Sequence, residues 1–198
     1  MNIDNKHEVE YRALITPEVF NLLLGNGRHS CAASFRGPLT IQDAYFCPRE
    51  VKDFSEIEMN KVGSYSLRLR REISEEITIV TLNTKIIKNE GDHNAWLEHE
   101  VVLSSYEEGL LILESIGFKC FFSFKKDRFA FDENSIHVCL ESIDDFQPAI
   151  EIEILTTEDK TEEAKKTLLD YFAKNNIHED SIVKKSITNI LMKARAAF

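Results

Sequence analysis

Period-two alternation of apolar and polar residues runs through most of the chain. In residues 7 to 14, Glu8, Glu10 and Arg12 fall on one side and Val9, Tyr11 and Ala13 on the other, which predicts a strand with a charged face. Thr16-Pro17-Glu18 supplies a cap and a proline at the first helical position. A short helix is predicted through Val19, Phe20, Leu23 and Leu24, stopped by Gly25-Asn26-Gly27. Extended runs follow at 39 to 47 (LTIQDAYFC), in SLRLRRE after a loop of mixed charge, and at 77 to 88 (ITIVTLNTKIIK). The turn-prone Asn89-Glu90-Gly91-Asp92 then leads into the strand WLEHEVVL. Ser104 or Ser105 caps the next helix, with Glu107 and Glu108 three residues on, and Gly117 ends it after Ile116.

Further strands are predicted at 120 to 131, 135 to 141 and 149 to 155. In EDKTEEAKKTLLDYFAKNN, Ala164, Leu168, Leu169 and Phe172 recur at helical spacing, with acids early and lysines late, as the helix dipole favours. Residues 177 to 198 are expected to be helical in part. About eight strands and three or four helices without a linker give a single α+β domain over residues 1–198, mostly antiparallel.

Composition narrows the function. The 198 residues carry 24 Lys+Arg against 34 Asp+Glu, a net charge of -10, which opposes a nonspecific grip on nucleic acid polymers or an anionic membrane. Any bound anion has to be met by locally concentrated positive charge. The apolar run Gly109 to Leu113 is far shorter than the roughly 20 residues of a membrane span. The opening MNIDNKHEVEYR lacks the apolar stretch of a secretory signal. Cys31, Cys47, Cys120 and Cys139 lack zinc-ribbon spacing, and the expectation is a cytoplasmic protein with reduced or structural thiols. His99 and His137 alternate within strands but make no zinc spacing. Phe121, Phe122, Phe124, Phe129 and Phe131 are read as packing residues, and Lys184, Lys185 and Lys193 as surface lysines.

The polar faces of the strands are unusual when taken together. Glu8, Glu10 and Arg12 alternate on the first, Arg68 and Arg70 on SLRLRR, Lys85 on the next, and Glu98 and Glu100 on WLEHEV. Lys126 and Arg128 alternate on FKKDRFAF, and Glu151 and Glu153 on AIEIEI. Solvated faces usually carry scattered Thr, Ser, Gln and Lys. Closing these strands into a barrel with the charges inward would create a cavity lined by both signs, suited to a polyanion and its metal. Carboxylates paired across strands hold Mg2+ or Mn2+ as hard oxygen ligands, while Arg and Lys take phosphate oxygens.

Glu8-Val9-Glu10-Tyr11-Arg12 resembles the Glu-x-Glu-x-Lys signature of CYTH proteins, the triphosphate tunnel metalloenzymes. The resemblance continues through Asp43-Ala44-Tyr45-Phe46, Pro48, Asp53-Phe54, Leu67-Arg68-Leu69-Arg70, Lys85 and Glu98-x-Glu100. It extends over Leu113 to Phe118, Lys126-x-Arg128 and Glu151-Ile152-Glu153, so that nearly the whole chain matches in family order. The resemblance implies an eight-stranded antiparallel β-barrel, a triphosphate tunnel with flanking helices, that binds a small-molecule triphosphate with Mg2+ or Mn2+. It implies Glu8, Glu10 and Glu153 as metal ligands, with Glu100 and Glu151 lining the metal region. Arg12, Arg68, Arg70, Lys85, Lys126 and Arg128 are implied as phosphate ligands, and Glu8, Glu10, Lys85 and Arg128 as catalytic. Glu141 falls near an acidic family position usually filled by Asp.

The chain departs from the pattern at Arg12, where the family has lysine, at Trp96, where many relatives have arginine, and at Thr84-Lys85-Ile86-Ile87, which lacks Lys-Gly-Pro. The usual Leu-Gly before the last strand is missing near Asp144-Asp145-Phe146. The stretch Asp43 to Phe54 looks closer to the class IV adenylate cyclase branch. Two reactions stay open: cyclisation of ATP, and hydrolysis of thiamine triphosphate, a nucleotide or tripolyphosphate. A non-catalytic phosphate-binding module is a third reading. The expected assembly is a monomer or homodimer.

Overall fold

In the computed structural model, residues 6–52, 65–87, 96–183 and 187–196 are described. The strands are β1 (Lys6–Leu14), β2 (Arg36–Pro48), β3 (Tyr65–Ile73), β4 (Thr78–Ile87), β5 (Trp96–Leu103), β6 (Phe118–Glu133), β7 (Ile136–Ile143) and β8 (Ala149–Thr157). The helices are α1 (Pro17–Ser30), α2 (Tyr106–Ser115), α3 (Thr161–Lys174) and α4 (Ile187–Ala196). Hydrogen bonding orders the strands β1-β8-β7-β6-β2-β3-β4-β5 in one eight-stranded sheet. The α+β class and the antiparallel strands are those expected. The turn at 89–92, Asp53-Phe54 and Lys184 with Lys185 lie outside the described residues.

The chain forms two compact units: Met1–Leu39 with Lys126–Phe198, and Thr40–Lys125. In the first, Glu10 pairs with Glu153, Arg12 with Glu151, His137 with Glu153 and Arg128 with Glu141. Because side chains alternate, these registers put Glu8, Glu10, Arg12, Lys126, Arg128, His137, Glu141, Glu151 and Glu153 on one face. Val9, Phe131, Val138, Leu140, Ile150 and Ile152 fall on the other, packed beneath Phe20 and Leu23 of α1 and Leu168 and Phe172 of α3. Burying each such side chain stabilises by about 1.5–3 kcal/mol.

The second unit repeats the scheme. Asp43 pairs with Arg70, Arg68 with Asn83 and Lys85 with Glu98, so these share a face with Thr81 and Glu100. Ala44, Phe46, Leu69 and Val80 pack on the opposite side against Tyr106 and Leu113 of α2. Arg71, one residue out of phase with Arg70, lies over the Tyr106 ring at 4.6 Å. Of the two predicted caps for α2, Ser105 is used: its hydroxyl accepts from the Glu108 amide at 3.2 Å.

Element ends differ from the sequence reading in one instructive place. The helix α1 does not stop at Gly25-Asn26-Gly27 but runs to Ser30. Gly27 is buried, and a Cβ there would lie 2.6 Å from the Phe131 ring. The glycine lets the helix approach the sheet instead of ending the helix. At Gly25 a Cβ would meet nothing within 4 Å. Gly27→Ala is therefore expected to lower stability by about 1–3 kcal/mol through overpacking, while Gly25→Ala raises it by roughly 0.5–1 kcal/mol through helix propensity. Urea unfolding of the two variants checks this; equal effects would show that α1 does not press on Phe131.

Candidate functional site

On the charged face of the first unit, Glu8 and Glu10 of β1 and Glu153 of β8 each bring a carboxylate oxygen within 4.8 Å of the others. The strand pairing makes this unavoidable, because Glu10 and Glu153 are directly opposed and Glu8 follows two residues away on the same face. Such crowding raises the cost of ionisation. Glu10 is pushed up to about 7, by burial first and by Glu151 and Glu8 in addition, against the lowering effect of Arg12. Burial and the Glu153 charge raise Glu8. A divalent cation would relieve this repulsion with three oxygen ligands, so the residues fit a hard, oxygen-liking cation.

Glu151, expected to line the metal region, is engaged by Arg12. The Arg12 Nε donates to Glu151 and its Nη2 donates to Glu10 at 2.8 Å. Glu100 belongs to the second unit, where it stands exposed on β5 across from Asn83.

Further along the first unit's face lies a second cluster. Glu141, 2% exposed, accepts from Lys126 Nζ at 2.5 Å and from Arg128 Nη2 at 2.6 Å and Nε at 3.0 Å. Burial would raise the Glu141 carboxyl, but the two cations outweigh it and hold it at about 2. Lys126 and Arg128 alternate with Phe129, which packs with Phe20 and Phe35. Beside them, burial pushes the Cys139 thiol up to about 12, so it stays protonated. All four cysteines are free.

In the second unit the phosphate-ligand candidates differ from one another. Arg70 donates through Nε and Nη2 to Asp43 at 2.7 and 2.8 Å, and through Nη1 to Glu72 at 3.4 Å. Its fork is fully engaged by carboxylates. Arg68 is freer: its Nε is buried without a hydrogen-bond partner and lies 3.9 Å from Asp43. The neighbouring Thr81 hydroxyl is also buried and unpaired. Lys85 Nζ pairs with Glu98 at 2.5 Å. Glu98 also accepts from Asn83 at 3.5 Å, and these bonds outweigh the effect of burial and lower its carboxyl.

Asp43, only 1% exposed, is the residue that the sequence reading passed over as a site member. It stood in a recognised motif, but nothing short of the β2–β3 register ties it to Arg70.

Two outcomes are expected. Glu141→Gln leaves two cations without their shared counter-charge, so it should cost about 3 kcal/mol or more at pH 7 in denaturant unfolding. In the parent, a carboxyl held below its unfolded value contributes stability above about pH 4.5, lost as pH falls through about 2. A parent and variant of equal stability at pH 7 would remove the cluster from the fold's support. Glu10 has the opposite sign: its proton is retained up to about pH 7, and a cation must displace it. Mn2+ affinity, measured by calorimetry, should tighten severalfold from pH 6 to pH 8, and a flat profile would count against Glu10 as a ligand.

The fold is similar to that of the PH1819 protein of Pyrococcus horikoshii OT3, with a TM-score of 0.66 and 22% identity, covering 95% of this chain and 99% of that one. A proposed adenylate cyclase from Vibrio parahaemolyticus gives a TM-score of 0.65 at 18% identity, covering 93% of this chain and 97% of its own. Another from Bacillus halodurans gives 0.60 at 18% identity, covering 92% and 95%. At these identities the likeness is one of fold. No curated protein matches the chain. The CYTH domain model matches residues 6–187, and the chain belongs to the CYTH domain family.

Proposed function

We propose that the protein is a divalent-metal-dependent enzyme acting on a small-molecule triphosphate, with both units forming one CYTH domain. The observation that carries this is the group of Glu8, Glu10 and Glu153, whose mutual repulsion calls for a cation, on the same face as Arg12, Lys126 and Arg128. Glu8, Glu10 and Glu153 would hold Mg2+ or Mn2+, which supplies charge that neutralises phosphate oxygens. Arg128 and Lys126 would bind the oxygens left over. Glu141 accepts from both cations, and Arg128 keeps N–H groups beyond those given to Glu141. Arg68 and Lys85 are proposed phosphate ligands of the second unit. Arg70 is proposed to act there through Asp43.

Adenylate cyclisation is the preferred reaction. It is supported by the Asp43-Ala44-Tyr45-Phe46 stretch and by fold likeness to two proposed adenylate cyclases. The ribose 3'-oxygen bonds to the α-phosphorus, the bond from that phosphorus to the β-bridging oxygen breaks, pyrophosphate leaves, and the hydroxyl proton passes to solvent. The face needs only to hold the triphosphate in line and stabilise the charge gathering on its oxygens.

ATP, thiamine triphosphate and tripolyphosphate, each incubated with Mg2+ or Mn2+ and resolved chromatographically, test the reading. Cyclic AMP with pyrophosphate is expected from ATP. Orthophosphate release would replace cyclisation by triphosphatase action, and no product from any substrate would overturn the enzyme assignment. Joint replacement of Glu8 and Glu10 by Ala should cut turnover more than about 100-fold with cooperative unfolding preserved; unchanged turnover at limiting Mn2+ would defeat the metal assignment.

A further inference from the structure

The carboxylates of the metal-ligand candidates belong to a longer row that runs across four neighbouring strands of the first unit. Asp132 of β6 lies opposite His137 of β7, His137 opposite Glu153 of β8, and Glu153 opposite Glu10 of β1. Directly opposed residues share a face of the sheet, so an imidazole stands between two carboxylates, one strand spacing of about 4.8 Å from Glu153.

The ring is oriented by its neighbours. Its Nδ1 lies 2.6 Å from the Asp132 carboxylate, on the β6 side. A neutral imidazole that donates from Nδ1 carries its lone pair on Nε2, and the two ring nitrogens point in divergent directions. Nε2 is therefore turned away from β6, to the side on which Glu153 stands. A carboxylate on one ring nitrogen is the arrangement that fixes the other as a metal ligand and strengthens it. Asp132, His137 and Glu153 all line one cavity of about 330 Å3, which gives an ion and its waters room beside them. Glu153 is also the member that the cavity shares with Glu8 and Glu10.

A nitrogen donor changes which ion is held best. Mg2+ is a hard cation that keeps oxygen ligands and water, whereas first-row transition ions accept imidazole as well as carboxylate. We infer that His137 Nε2 is a further ligand of the proposed metal, sharing an ion with Glu153, and that the mixed nitrogen and oxygen site selects Mn2+ over Mg2+. The inference rests on the metal reading above and gives it a metal preference.

The test uses the full chain with each metal alone. Calorimetry should find Mn2+ bound at least about tenfold more tightly than Mg2+. Pulsed electron paramagnetic resonance of the Mn2+ form should show hyperfine coupling to an imidazole nitrogen, a readout that requires no substitution. His137→Ala should weaken Mn2+ about tenfold, leave Mg2+ within about twofold, and abolish the nitrogen coupling. The His137 side chain is 32% exposed, so urea unfolding of the variant should match the parent. A parent spectrum without nitrogen coupling, coupling that survives in His137→Ala, or equal effects of the substitution on both metals overturns the imidazole ligand while leaving the three-carboxylate site in place. Failure of the parent to bind either metal overturns the metal reading, and the inference with it.

Discussion

Like charges gathered on one sheet face need counter-charges within hydrogen-bond reach, and that requirement organises both units. Two unit charges 4 Å apart interact by about 4 kcal/mol at the effective dielectric of a protein surface region. Such terms are comparable to a sizeable part of a domain's net stability. Strand alternation makes the problem acute, because every second residue is delivered to the same face. Placing Glu10 opposite Glu153 brings carboxylates together, while placing Arg12 opposite Glu151 brings a pair that attracts. The same pairing geometry therefore produces a repulsive locus at one end of the face and satisfied ion pairs at the other.

The ion pairs also rank the cations. Lys126 and Arg128 share the buried Glu141 carboxylate. Arg68 and Arg70 face Asp43 and Glu72. Arg128 with five N–H groups keeps donors beyond those given to Glu141. In the second cluster Arg70 is held by three contacts to carboxylates, while the buried Arg68 Nε makes no hydrogen bond. Repeated arginines two residues apart thus have unequal chemistry although they share a face.

Faces were legible in the sequence and registers were not. Glu-x-Glu and Arg-x-Arg fix which side chains lie together along one strand, because the period of two is a property of the extended backbone itself. Which residue lies opposite depends on how neighbouring strands are paired, and the joint role of Asp43 and Arg70 appears only once Asp43 is set across from Arg70. Glu151 shows the same limit: the family resemblance implied a place lining the metal region, and only the strand register sets it across from Arg12, which donates to it. Gly27 was misread for a related reason, since a glycine signal is local whereas the Phe131 ring that requires it is about a hundred residues away.

Arg12 illustrates how a departure from a family pattern acquires a physical meaning. Lysine would present a compact charge at this place, able to turn toward whichever anion is nearest. The planar fork of arginine instead donates to Glu151 through Nε and to Glu10 through Nη2 at once. Glu10 is thereby shared between the guanidinium and the group of carboxylates suited to a cation. A metal held at Glu10, as proposed, would compete with Arg12 for the same carboxylate, and by linkage Arg12 would weaken the metal as much as the metal would weaken Arg12. The guanidinium end released from Glu10 would be the end with a donor for a phosphate oxygen, while Glu151 would still hold Nε. Arginine in place of lysine therefore ties the proposed metal side of this face to the proposed phosphate side through one carboxylate.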